Sequence, residues 1–465
     1  MRKLITIILI LFGAIHNTLF AQETPKDTNN LQYILRKGKW NGQIRNYLMR
    51  THNHRKDLTD FYANAFGGAF SYETAKLKGF RVGFTASFVQ NTWSSDFTKP
   101  DSLTGQFNRY EIGLFDIENP SQSFIGRVDA LYLSYHWKKS KISFGKQKLT
   151  TPWLNPQDGR MRPNFQEGLY IDFQEIKHLR IEAAWIYRFL VRSTEFWLTI
   201  PQSIGQYPAG ITPDGVRSGY RNNLTSAGLG VLGLTYRITP YIKTQFWNYY
   251  TENIFNTSFW QTEAELPFTK AEDSHNHKGI LGLQLHYQTA LNQGGNADQN
   301  LAYIPKGKQN WAFSGRIGWK SGHSQLTFNY TRIGKEGRFL FPREWGRDAF
   351  YTFLPRERNE GYGDANAFML QWGQNFPKNR LKMELGYGHY YLPDARNALL
   401  NKYGFPSYNQ INLNFVYRFK GLLEGLQGQF LYVYKGKLSE TFDNPRFEFN
   451  KVNMSLYNFI LNYNF

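Results

Sequence analysis

The sequence predicts an all-β chain, a single antiparallel transmembrane β-barrel of about eighteen strands with an infolded loop constriction. Three observations carry this. Apolar and polar residues alternate with period two from end to end, which is the signature of a two-faced strand rather than a helix. The alternating segments run for about 9–11 residues, the length a tilted spanning strand needs. Short turns alternate with long polar connections, as in barrels whose turns are short on one side of the membrane and long on the other.

The elements follow in order. Arg2 and Lys3 precede an apolar run over 4–12, and small or polar residues continue to Ala21. This predicts a signal peptide, 1–21, too short to span a bilayer and cut after Ala21. Residues 22–37 are expected as a short periplasmic segment and 38–465 as the barrel. Strands are expected to begin near Gly38, Tyr62, Phe80, Asp129, Lys141, Gly168, Leu179, Thr225, Tyr241, Phe259, Gly279, Trp311, Gln325, Ala367, Leu381, Asn409, Leu426 and Asn453. Within them Leu281, Leu283, Leu285 and Tyr287 face away from Gln284, His286 and Gln288, and Ile411, Leu413 and Phe415 from Asn412 and Asn414. Trp137, Tyr187, Tyr236, Tyr287, Trp319 and Tyr417 stand at strand ends, where an aromatic ring meets lipid on one side and water on the other. The final strand alternates Tyr457, Phe459, Leu461, Tyr463 and Phe465 with polar neighbours, and resembles the assembly signal that the barrel-assembly machinery reads.

Composition excludes other classes. The 465 residues contain no cysteine, so disulfide scaffolds, thiolate metal sites and thiol catalysis fall away. Aromatics make up 17% of the chain, far too many for disorder. Only the first segment is an apolar run, which excludes a helical membrane protein. The net charge of +19 could suggest nucleic acid, but the bases are spread along an exported chain and form no single patch. No nucleic-acid partner, cofactor or metal is expected. The GxGxxG match Gly228–Gly233 lies inside an alternating segment and lacks the strand-to-helix setting of a dinucleotide site. The His52/His54 and His275/His277 pairs lie in expected loops without a second ligand set, and no nucleophile-elbow pattern occurs.

Several ordered stretches resemble the OprD family of outer-membrane porins, the carboxylate channels. They are Gly42-Gln-Ile-Arg45-Asn-Tyr47, Phe61-Tyr-Ala-Asn-Ala-Phe-Gly-Gly68 with Tyr72-Glu73-Thr74, and Lys146-Gln147 followed by Thr151-Pro-Trp-Leu-Asn-Pro-Gln-Asp-Gly-Arg-Met-Arg-Pro163. The resemblance implies an eighteen-stranded monomeric barrel, narrowed by infolded loops, with a ladder of basic side chains guiding carboxylate solutes.

Charge placement supplies candidate residues. With apolar faces toward lipid, Arg45 and Arg316 fall near mid-depth of the lumen, and Arg81, Arg180, Arg237, Lys320, Lys382 and Arg418 toward the periplasm. Fixed positive charge in a narrow pore draws anions in. Lumenal acids are fewer, Asp172 among them. The constriction is expected between the fifth and sixth strands, over 148–167, where Asn155, Asp158, Arg160 and Arg162 are polar groups on a proline-stiffened loop. The longer loop 334–366 has six bases and six acids and is expected as a self-paired lid or second constriction. The expected activity is passive uptake of small hydrophilic solutes, anionic carboxylates first, with no reaction catalysed. Basic amino acids or small peptides are the alternative solutes, and an outer-membrane enzyme or adhesin the alternative class. Outer-membrane lipid and lipopolysaccharide are the expected surroundings.

Overall fold

The computed structural model describes residues 30–156, 160–268 and 277–465. The expected leader, Asp158 and His275 lie outside them. A short helix α1 (Leu31–Arg36) comes first, its start capped by the Asn30 side chain, which accepts from the Tyr33 N–H at 2.7 Å. The strands are β1 (Lys39–Asn53), β2 (Phe61–Glu73), β3 (Phe80–Ser94), β4 (Phe124–Trp137), β5 (Ser140–Gln147), β6 (Phe165–Phe173), β7 (Leu179–Leu190), β8 (Leu198–Thr199), β9 (Leu229–Arg237), β10 (Ile242–Thr251), β11 (Phe255–Pro267), β12 (Lys278–Ala290), β13 (Gln309–Ser321), β14 (Ser324–Ile333), β15 (Ala365–Phe376), β16 (Leu381–Tyr391), β17 (Tyr408–Arg418), β18 (Leu426–Lys437) and β19 (Met454–Asn464). A one-turn helix α2 (Ile200–Ser203) follows β8.

Each strand pairs antiparallel with its neighbours in sequence, except that β7 pairs onward with β9 while β8 is a two-residue spur on β7. β1 pairs with both β2 and β19, so the sheet closes into a barrel with no free edge. At the seam Gly42 and Phe465 exchange backbone hydrogen bonds of 2.8 and 3.0 Å. The Phe465 ring lies over Gly42, where a Cβ would sit 2.2 Å from a ring carbon, so the ring fills the space that a side chain at residue 42 would need.

Burial is inverted relative to a water-soluble protein. Large apolar residues such as Leu131, Phe144, Ile317 and Phe328 stand about half exposed on the outer face, while Gln284, Gln288, Asn329 and Gln410 are buried inside. That is the arrangement of a barrel whose outside meets lipid and whose inside holds polar groups. At one end of the barrel the connections are short: 74–79, 138–139, 174–178, 238–241, 322–323, 377–380 and 419–425. The other end carries 95–123, 148–164, 191–228, 291–308, 334–364, 392–407 and 438–453, which fold back into the barrel and bury Phe97, Trp153, Ile204, Tyr303, Trp345, Phe405 and Phe449.

The largest displacement of an expected strand start has a visible reason, while β9 and β11 begin four residues from the expected Thr225 and Phe259. β4 begins at Phe124, not near Asp129, because a bulge opposite Thr85/Ala86 leaves Asp129 unpaired and reverses the alternation there.

Candidate functional site

Two loops meet across the lumen. In 148–164, Trp153 is buried with its ring 4.7 Å from Phe341, 5.3 Å from Phe350, 5.6 Å from the wall residue His286 and 5.7 Å from Phe339. Three of those rings come from 334–364. Polar contacts lock the same pair of loops. The Asn155 amide donates to the Arg347 carbonyl at 3.1 Å and accepts from the Arg347 N–H at 3.1 Å, and Asn164 donates to the Glu344 carbonyl at 2.8 Å. Buried backbone groups need such partners, and here side chains of one loop supply them to the other.

Loop 334–364 then reaches around the wall. Gln284 donates to the carbonyl of Ala349 at 2.9 Å, and Gln410 and Asn412 donate to that of Pro355 at 2.8 and 3.2 Å. Arg356 donates to Asn458 at 2.7 Å and to the Tyr47 hydroxyl. Next to it Glu357 is buried among three cations: Arg343 and Lys435 at 3.0 Å and Arg109 at 3.3 Å. Burial alone would raise this carboxyl, but the surrounding cations, Lys435 foremost, outweigh it and hold it well below the usual carboxylate range.

The candidate residues divide. Arg45 is nearly closed off; its Nε donates to Asn462 at 2.6 Å and its Nη1 to the carbonyl of Arg160 at 2.8 Å, so β1 and the first loop are joined. The Arg160 guanidinium, buried and beside Arg356, is pushed down to about 9. Arg162 is 2% exposed and lies near Arg127, Asp129 and Asp116, more deeply buried than Arg45 or Arg160. Arg180 grips Asp172 through two 2.8 Å bonds and lies 3.1 Å from Glu182, so it and the lumenal Asp172 neutralise each other. Arg81 pairs with Glu73 at 3.1 Å, Lys320 with Glu265 at 3.4 Å and Lys382 with Glu384 at 2.6 Å. Arg316 donates to Asn329 at 2.6 Å and stacks 4.2 Å over the Tyr351 ring. Arg237 and Arg418 are exposed at the short-turn end.

Beside residues 347–355 lies a chamber of about 460 Å³. Gln245, Gln261, Gln284, Gln371, Asn412 and Asn414 line it, with Arg316, Arg347, Glu263 and Glu384. Amides offer donors and acceptors together, and the guanidinium fork suits a carboxylate. Sequence reasoning missed Arg347, Tyr351, Arg356 and Glu357. The signal was present as the zero net charge of their loop, but a net charge does not say which charges are paired. The Gly228–Gly233 stretch runs into β9, where a Cβ on Gly233 would sit 2.4 Å from the Trp247 ring; these glycines give neighbouring rings room in the wall.

A closed barrel with an apolar outer belt, a polar interior and inward-folded loops defines an outer-membrane channel. The family model described as outer membrane porin, OprD family, matches residues 39–359, and the chain belongs to the OprD family of outer-membrane porins. Its fold is similar to that of Pseudomonas aeruginosa OccK9 (OpdG), with a TM-score of 0.72 and 13% identity over 93% of this chain and 99% of that one. It is similar also to P. aeruginosa OpdK solved with vanillate (TM-score 0.70, 13% identity, 93% and 99% covered) and to Acinetobacter baumannii OccAB2 (TM-score 0.69, 12% identity, 93% and 98% covered). A search of curated protein sequences returned no match. Family and fold locate the chain in the outer membrane of a Gram-negative bacterium, so the short-turn end faces the periplasm.

Proposed function

We propose that this porin passes small anionic solutes by diffusion, carboxylates first. The observation that carries the reading is the gathering of Arg45, Arg160 and Arg356 where loops 148–164 and 334–364 meet the β1–β19 wall. Guanidiniums stay charged throughout the physiological range and replace part of a carboxylate's hydration with bidentate hydrogen bonds. Arg316 and Arg347 continue the positive path into the chamber. In this reading the wall bases Arg81, Arg180, Lys320 and Lys382 tune the field through their acid partners rather than gripping solute. That OpdK is solved with vanillate, a carboxylate, supports the same class. The leader to Ala21, a monomeric state and delivery by the barrel-assembly machinery belong to the same proposal.

The reversal potential of the mature protein in a planar bilayer tests it. Anion preference is expected, falling toward unity in R45A/R356A. Cation selectivity in the unmodified protein, unmoved by those changes, overturns it. A second reading, uptake of basic amino acids or small peptides, draws on Glu263 and Glu384 in the chamber. Uptake of glutamate against arginine separates the two.

A further inference from the structure

We infer that the periplasmic rim binds anionic phospholipid headgroups of the inner leaflet along an arc that runs from the β15–β16 turn past the β1–β19 seam to the β6–β7 turn. The bases there are exposed and stand along one arc of the rim, on both sides of the β1–β19 seam: Lys378 between β15 and β16 on one side, and Lys76 and Lys78 between β2 and β3, Lys138 and Lys139 between β4 and β5 and Lys177 between β6 and β7 on the other. None of these six makes an ion pair among the described residues, whereas the acids of this end are engaged: Glu73 with Arg81, Asp172 with Arg180, Glu265 with Lys278 and Lys320, Glu424 with Arg380. Glu175 accepts from the Ser140 hydroxyl at 2.6 Å and from the Lys139 backbone N–H at 3.1 Å, so it offsets part of the charge of Lys138 and Lys139 without an ion pair.

One feature favours a lipid leaflet over an acidic protein or peptidoglycan: exposed apolar side chains stand beside these lysines. Ile176 precedes Lys177, and Leu422 in the β17–β18 turn, next to the turn of Lys378, is fully exposed. Apolar groups at the boundary with lysines reaching from it fit the headgroup layer, where long basic side chains extend toward phosphate.

The test uses the mature protein in phosphatidylcholine bilayers with trace spin-labelled phosphatidylglycerol or phosphatidylcholine. The motionally restricted lipid is expected to favour phosphatidylglycerol by about twofold or more at low salt. The preference should vanish at about 1 M salt, where screening is short-ranged. It should also fall in K76Q/K78Q/K138Q/K139Q, with folding checked by heat-modifiable gel mobility. If that variant misfolds, K177Q/K378Q is expected to lower the preference in part. Equal association of both lipids, or a preference that the lysine changes leave intact, overturns the inference. Binding of soluble acidic peptidoglycan fragments without any lipid preference overturns it in favour of a different polyanion.

Discussion

The two ends of this barrel treat positive charge in opposite ways. Toward the outside, Arg109, Arg343 and Lys435 converge on Glu357, and Lys435 is fully buried. Lys402 is buried among the rings of Tyr220 and Tyr303, each 4.7 Å away, and Tyr403 at 5.5 Å. At the periplasmic rim, Lys76, Lys78, Lys138 and Lys139 face solvent and make no ion pair among the described residues, although Glu175 lies near the last two. The difference follows from burial. A charge inside the loop plug needs a partner or a ring face to offset lost hydration, and an exposed one does not. A charge total therefore describes neither end; what matters is which charges the loops carry inside.

The largest effect that can test this contrast is expected at Glu357. E357Q leaves three cations converging on a neutral group, and removing one partner of a buried ion cluster costs about 3–5 kcal/mol. Chemical unfolding in detergent, with trypsin accessibility of the loops, checks it; a barrel as stable and as resistant as the unmodified one would mean the cluster is not holding the plug. The pH dependence has a definite sign. Because the folded carboxyl lies below its unfolded value, its contribution is complete above the unfolded pKa of about 4.3 and is lost only as pH falls through the lower folded one. The loops are expected to stay protease-resistant from neutral pH down to that range and to loosen only in stronger acid.

A smaller loss is expected from N155A, which strips two part-buried contacts to the Arg347 backbone, at about 1 kcal/mol. Single-channel recordings should show noisier conductance while the barrel still migrates as folded; unchanged noise would remove Asn155 from the lock between the loops.

The same residue marks how far the sequence could be read. All eighteen barrel strands were legible, since each carries its own period-two pattern and needs no distant information. The displaced start at Asp129 was not, because a bulge switches which parity faces the lumen within one strand. In the loops, residue types were legible and partners were not. Asn155 and Arg160 stand out as polar groups in a proline-rich loop, but Asn155 bonds a backbone 192 positions away and Arg160 is reached by Arg45 from 115 away. Nothing local encodes such contacts. Loop 334–364 looked self-paired; its Arg343–Glu357 pair is internal, yet Glu357 also takes Arg109 and Lys435 from two other segments.

The smallest stability effect is expected at the rim, and it sharpens the comparison most cleanly. Exposed lysines without ion-pair partners contribute within about 0.5 kcal/mol each, so K76Q/K78Q should leave unfolding in a neutral detergent nearly unchanged. Changing two lysines at the rim should thus cost less than changing one carboxylate in the plug. The contrast must also depend on surroundings. In bilayers rich in phosphatidylglycerol the same variant should lose stability relative to the unmodified protein, and added salt should erase that difference. A loss already present in neutral detergent would mean these lysines are bound within the protein after all, and the two ends would no longer differ in kind.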